Sequence, residues 1–139
     1  MESDDAKLDV DVLLVEDDPV LAAMYRIKLV AEGYQVRLAA DGPGGLAAAL
    51  ARPPDVLLLD IRLPGFDGLE LLSRLRNTPE GAGVPVLVLS NYGEHEVIER
   101  GRELGVLDHL IKAQTTPASL AETIRRHLGE PGAEATAAK

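Results

Sequence analysis

VLLLDIRLPGFDGLELL (residues 56–72) ends an apolar run on a single carboxylate, Asp60, and follows it with a turn. Burying an ionised carboxylate is costly unless it is paired or bound to a metal, so Asp60 reads as a cap, a turn former or a reactive group. Runs of Val and Leu without polar alternation mark strands covered on both faces, the pattern of a parallel sheet. VPVLVLS (residues 84–90) is a second such run, and it too ends on a polar residue, Ser90.

Outward from these runs, strand and helix periods alternate. VDVLLVE (residues 10–16) reads as a strand, and DPVLAAMYRIKLVAEG (residues 18–33) as a helix with Val20, Met24, Ile27 and Ala31 recurring at steps of four, three and four. Pro19 suits that helix's first turn and Gly33 the position just past its last, with Asp17 or Asp18 as its cap. YQVRLA (34–39), DVLLLD (55–60) and LDHLI (107–111) complete the strands. PGGLAAALA (43–51), DGLELLSRLRN (67–77), EHEVIERGREL (94–104) and PASLAETIRRHL (117–128, capped by Thr116) complete the helices. Five strands alternating with five helices predict an α/β doubly wound parallel sheet, order 2-1-3-4-5, in a three-layer sandwich.

A chain of 139 residues fits one domain. Residues 1–9 are expected as an acidic disordered start, 10–128 as the domain, and 129–139 as a disordered tail or linker. With no Trp and one Phe, the core must be aliphatic, and with no Cys, disulfides and thiolate metal sites are excluded. No run approaches the ~20 apolar residues of a membrane span, and the acidic start is unlike a secretory signal, so a cytoplasmic protein is expected. A net charge of −9 repels phosphate backbones, so no direct nucleic-acid binding is expected.

In an open parallel sheet, ligands bind beyond the carboxyl ends of the strands where the winding reverses. Those ends carry Glu16 and Asp17, Asp60, Ser90 and Lys112, while the predicted edge strand ends blandly in Ala39 and Ala40. Taken singly, each polar residue is more simply a cap, turn residue or surface charge; taken together they form a shared site. Crowded carboxylates call for a cation, and Mg²⁺ suits one or two carboxylates with waters and phosphate oxygens. A 12-residue Ca²⁺ loop pattern is missing. A carboxylate can attack phosphorus to give an aspartyl phosphate, with Lys112 and the Ser90 hydroxyl stabilising the phosphoryl oxygens.

VLLVEDDP, ADGPGGLAAAL, DVLLLDIRLPGFDGLELL, VPVLVLS and HLIK, in this order, resemble the CheY-like receiver domain of bacterial two-component response regulators across residues 11–128. The resemblance implies a flavodoxin-like fold and a signalling switch rather than a conventional enzyme. It implies Asp60 as phosphoacceptor for a sensor histidine kinase or histidine phosphotransfer protein. It implies a Mg²⁺ site of Asp17, Asp60, Glu16 acting largely through water, and the Arg62 backbone carbonyl. It further implies Ser90 and Lys112 as the groups that engage the phosphoryl oxygens. Output would pass through the face of the fourth helix, fifth strand and fifth helix, to a downstream protein or a fused output domain, from a monomer or a phosphorylation-dependent dimer.

Three positions depart from the family pattern. His109 stands at the switch position usually held by Tyr or Phe, and is expected to be solvated. Ala113 follows Lys112 in place of Pro, so a trans bond and a differently shaped loop are expected. Asn91 follows Ser90 where a smaller residue is usual and narrows access to Asp60. Arg62 and Tyr92 occupy positions that tune phosphate loss in the family. Two other readings stand beside this one. A degenerate receiver would act as a phosphorylation-independent binding module. A Mg²⁺-dependent aspartyl-phosphate phosphohydrolase would want a second acid two residues after Asp60, where Arg62 stands.

Overall fold

The computed structural model describes residues 10–91 and 94–129. The acidic start, Tyr92 and residues 130–139 of the tail lie outside the described residues. Five parallel strands, β1 (Asp11–Val15), β2 (Gln35–Ala39), β3 (Val56–Asp60), β4 (Val86–Ser90) and β5 (Asp108–Ile111), form one sheet in the order β2-β1-β3-β4-β5. Five helices join and cover them: α1 (Pro19–Ala31), α2 (Gly42–Ala51), α3 (Gly68–Arg76), α4 (His95–Glu103) and α5 (Pro117–Leu128). The predicted fold class and strand order are those observed.

The unbroken apolar runs now have their cause. Alternate residues of each central strand point to opposite faces, and both faces are covered. Val12, Leu14, Leu58, Leu87 and Leu89 pack with Tyr25 and Leu29 of α1 and Leu120 and Ile124 of α5. Leu13, Val15, Leu57, Leu59, Val86 and Val88 pack with Leu71, Leu72 and Leu75 of α3. Each fully buried leucine contributes roughly 1.5–3 kcal/mol relative to exposure, so two aliphatic layers replace the missing aromatics.

Helix starts follow the side chains that can accept from free backbone N–H groups. Asp18 Oδ1 takes Val20 N at 2.9 Å, Asp41 takes Gly44 N at 2.6 Å and Asp67 takes Glu70 N at 2.9 Å. Thr116 and Ser119 cap α5 reciprocally. The cap of α1 is therefore Asp18, which leaves Asp17 exposed and outside the helix.

The stripe that marks α1 as a helix is not the stripe that packs. Val20, Met24 and Ile27, the stripe that marked α1 as a helix, are 68%, 48% and 66% exposed, and Ala31 is exposed with them. The buried face is instead Ala22, Tyr25 and Leu29, at steps of three and four. The helix is apolar on two sides, and the larger Tyr25 and Leu29 side chains fill the layer beneath the sheet while the first stripe turns outward.

The amino-terminal edge of the sheet is held by arginines. Arg37 grips Asp11 through Nε (3.1 Å) and Nη2 (2.8 Å) and donates to the carbonyls of Ala48 and Arg52. Arg76 reaches from the end of α3 to the carbonyls of Leu104 (2.7 Å), Gly81 (2.9 Å) and Val84 (2.8 Å), tying α4 to the segment before β4. Among the described residues, no helix is long and apolar enough to cross a membrane.

Candidate functional site

The opposite edge gathers the polar residues. Glu16 leaves β1, Asp60 ends β3 and Lys112 follows β5 in a single 3-10 turn, Lys112–Gln114. Lys112 Nζ lies 2.9 Å from Asp60 Oδ2 and 2.8 Å from Glu16 Oε1. Glu16 and Asp60 are buried and Asp17 is exposed at the rim, and one carboxylate oxygen from each can be found within 4.8 Å of the others. Three acids face one ammonium.

The electrostatics follow from that imbalance. Burial pushes the Glu16 carboxyl above its usual range and the Asp60 charge adds to this, against the opposing pull of Lys112 and the Asp18 backbone N–H. For Lys112, burial alone would lower the pKa, but its pairs with Glu16 and Asp60 outweigh it and the net shift is upward. Glu16 Oε1 is buried, and Lys112 Nζ at 2.8 Å is its charged partner. A buried carboxylate beside two others, with a single ammonium between them, is what a hard cation would further satisfy.

Asp60 is presented by a turn with little room to spare. Its Oδ1 accepts the Arg62 N–H at 3.3 Å, which brings the backbone of residue 62 back beside the carboxylate. Gly65 sits at φ 85°, a conformation that favours glycine. A Cβ on Gly68 would lie 2.3 Å from the Asp60 carbonyl oxygen, so only glycine lets α3 start this close to Asp60. Asn91 joins Glu16, Asp17, Asp60, Arg62, Lys112 and Ala113 around an open recess, and the Arg62 guanidinium reaches Glu94 at 3.9 Å. The Lys112–Ala113 bond is trans, as expected from alanine there.

Two of the predicted residues stand apart from this cluster. Ser90 is buried, and its Oγ lies 2.8 Å from His109 Nε2. His109 is thus half-buried and hydrogen-bonded, not solvated, and burial lowers its pKa against the opposing Asp108 charge. Tyr25 is a site residue that sequence reasoning missed. Its ring is buried under α1 and its hydroxyl donates to the Thr115 carbonyl at 3.3 Å, bracing the loop that carries Lys112. Position alone gave a signal, since Tyr25 is the bulkiest residue of the helix that begins beside Asp17.

Comparison with known proteins bears on the family and on the 2-1-3-4-5 fold. The family model for the response regulator receiver domain matches residues 12–125. The chain belongs to that family. It is similar to the probable transcriptional regulatory protein TcrX of Mycobacterium tuberculosis, 39% identical over 84% of this chain and 47% of the relative. This receiver domain spans about half the length of the first curated relatives it matches. Among solved structures it resembles the chemotaxis response regulator CheY4 of Vibrio cholerae, with TM-score 0.80, 30% identity, and 86% of this chain and 99% of that one covered. It also resembles the receiver domain of the sensor histidine kinase PA1611 of Pseudomonas aeruginosa, with TM-score 0.78, 31% identity, and 88% and 99% covered. That structure has a magnesium ion coordinated in its active-site cleft. The Glu16, Asp17 and Asp60 cluster is consistent with divalent-metal binding here.

Proposed function

We propose that this receiver domain is a phosphorylation-dependent switch in a two-component relay, with Asp60 as phosphoacceptor. The observation that carries the reading is Lys112 Nζ, held 2.9 Å from Asp60 Oδ2 in a recess that also gathers Glu16 and Asp17. A carboxylate oxygen of Asp60 attacks phosphorus. The phosphorus–nitrogen bond of a donor phosphohistidine breaks, its electron pair stays on the donor imidazole, and an acyl phosphate forms. Lys112 supplies positive charge to the transferring phosphoryl oxygens. Asp17, Asp60 and the Arg62 carbonyl would hold Mg²⁺ directly and Glu16 through water. When bound, that ion supplies charge neutralisation between the carboxylates and the phosphoryl oxygens.

The donor, a sensor histidine kinase or a histidine phosphotransfer protein, has to present its imidazole at this recess and so must seat on the adjoining surface. Exposed Ile27 and Leu38 border an apolar depression that also includes Glu16 and Asp17. Val20 and Met24 extend the same side of α1. This face suits an amphipathic partner helix. Output passes through α4, β5 and α5, because Ser90 and Lys112 lie at the ends of strands that flank them, toward a downstream protein or a fused output domain. In this reading the domain acts as a monomer or as a phosphorylation-dependent dimer.

The test is intact mass after incubation with Mg²⁺ and acetyl phosphate, beside D60N and a chelated control. A single phosphoryl adduct requiring both Mg²⁺ and Asp60 is expected. No adduct, even with a competent phosphohistidine donor, would leave the domain a phosphorylation-independent binding module. With a donor protein, I27E should slow transfer while leaving acetyl phosphate labelling intact.

A further inference from the structure

The charges of the acidic recess are not all held equally. Glu16 and Asp60 continue β1 and β3, each paired with a strand on both sides, and the ladder runs on past them through Glu16 N–H to the Ala39 carbonyl and Ile61 N–H to the Leu89 carbonyl. Lys112 follows β5, the strand at the sheet's edge, and rides on a 3-10 turn whose other two side chains, Ala113 and Gln114, are exposed. The turn is fastened at Thr115, one position before the cap of α5. Thr115 N–H donates to the Lys112 carbonyl at 3.1 Å and its Oγ1 to the Ile111 carbonyl at 2.7 Å, which closes the turn on itself. Its carbonyl accepts from the Tyr25 hydroxyl at 3.3 Å, which ties the turn to α1, 90 positions earlier in the chain.

A large apolar side chain could fill the core at position 25; what tyrosine adds is a donor. A buried phenol needs an acceptor, and helical side chains lean toward the helix N-terminus, which in α1 is the end beside Glu16 and Asp17. From the second turn of α1, Tyr25 therefore reaches back toward the recess. Its hydroxyl feels the charges of Lys112, Glu16 and Asp60, and burial raises its pKa, so it remains a donor at neutral pH.

We propose that Tyr25 is a positioning residue for phosphoryl transfer, its hydroxyl holding the Lys112 turn through the Thr115 carbonyl so that the ammonium stays aimed at Asp60. This inference rests on Asp60 being the phosphoacceptor. It divides the site in two. The carboxylates that would hold Mg²⁺ belong to β1 and β3 and do not depend on the phenol, whereas the ammonium that meets charge on the transferring oxygens does. A loosened turn lets Lys112 wander from the position in which its charge counts, and that cost falls on the transfer step rather than on metal binding.

The experiment compares the full chain with Y25F, which keeps the ring in the core and removes the hydroxyl. Without any phosphodonor, amide hydrogen exchange at Thr115 should quicken in Y25F, and Mg²⁺ affinity by calorimetric titration should be unchanged. At saturating Mg²⁺ with acetyl phosphate, the rate of adduct formation followed by intact mass should fall about threefold, the scale of one weak neutral hydrogen bond. L29V trims the same core layer without touching a donor to the turn, and should lower stability while leaving the rate at the wild-type value. A Y25F protein that labels as fast as the wild type, one that loses Mg²⁺ affinity together with rate, or an L29V protein slowed as much as Y25F would overturn the proposal. Failure of the wild type to take any adduct, even from a competent phosphohistidine donor, would instead sink the phosphoacceptor reading, and the positioning role with it.

Discussion

Two aspartates sit at opposite edges of the same sheet and lead opposite lives. Asp11 opens β1 and is matched by the Arg37 guanidinium at 2.8 Å, with Arg52 3.6 Å away. Asp60 closes β3 and shares one lysine with Glu16, while Asp17 waits at the rim. At the first edge cations meet carboxylate and carbonyl oxygens in fixed geometry, and the charges act as a clasp. At the second, carboxylates outnumber the cation, and the surplus is what a metal ion would balance. The residue type is the same at both edges; stoichiometry separates an acid that is matched from one left in surplus.

Arg76 offers the strongest way to break this contrast. R76A removes donors from the Leu104, Gly81 and Val84 carbonyls and should lower stability by about 3 kcal/mol in denaturant unfolding, with the Asp60 adduct still formed by the folded fraction. A smaller effect comes from D11N, which leaves Arg37 half-buried without its anion and should lower stability by about 2 kcal/mol at unchanged adduct yield. Its mirror is D60N, which abolishes the adduct yet should raise stability by about 1 kcal/mol, because Asp60 and Glu16 repel one another. Loss of stability in D60N comparable to that in D11N would erase the distinction between the two edges. Mg²⁺ at about twice its dissociation constant should add about 0.6 kcal/mol to the wild type and nothing to D17N, read as a shift in thermal midpoint.

The smallest effect concerns pH. Burial holds His109 below its unfolded value near 6.5, so the folded domain takes up its proton later than the unfolded chain does. Its contribution to stability is complete above pH 6.5 and is lost as pH falls through the folded value. H109F should flatten that part of the acid limb of the stability profile, leaving the carboxylate-driven loss at lower pH intact.

Much of this was legible because parallel sheets write their burial into the sequence. Unbroken runs at residues 56–59 and 86–89 declared two covered faces, and the polar residues ending those runs marked the edge where ligands bind. The orientation of α1 was not legible, since a helix with two apolar stripes satisfies the same periodicity whichever stripe packs. Tyr25 with Leu29 prevailed by filling the space below the sheet. Nor was the role of Arg76, which reads in sequence as an ordinary basic residue of a last turn. The pairing of His109 with Ser90 was recoverable in principle: with β4 beside β5 and Ser90 level with Ile111, a residue two positions before Ile111 falls on the same face.

Tyr25 gives the domain an optical handle. The chain has no Trp and only three Tyr, so its near-ultraviolet emission is tyrosine emission, which is sensitive to the hydrogen bonding of the phenol. Tyr25 donates to the very loop that carries Lys112, and its hydroxyl feels the charges of Lys112, Glu16 and Asp60. Filling the acidic recess should therefore change the fluorescence of an unlabelled protein, and Y25F should silence that component of the signal.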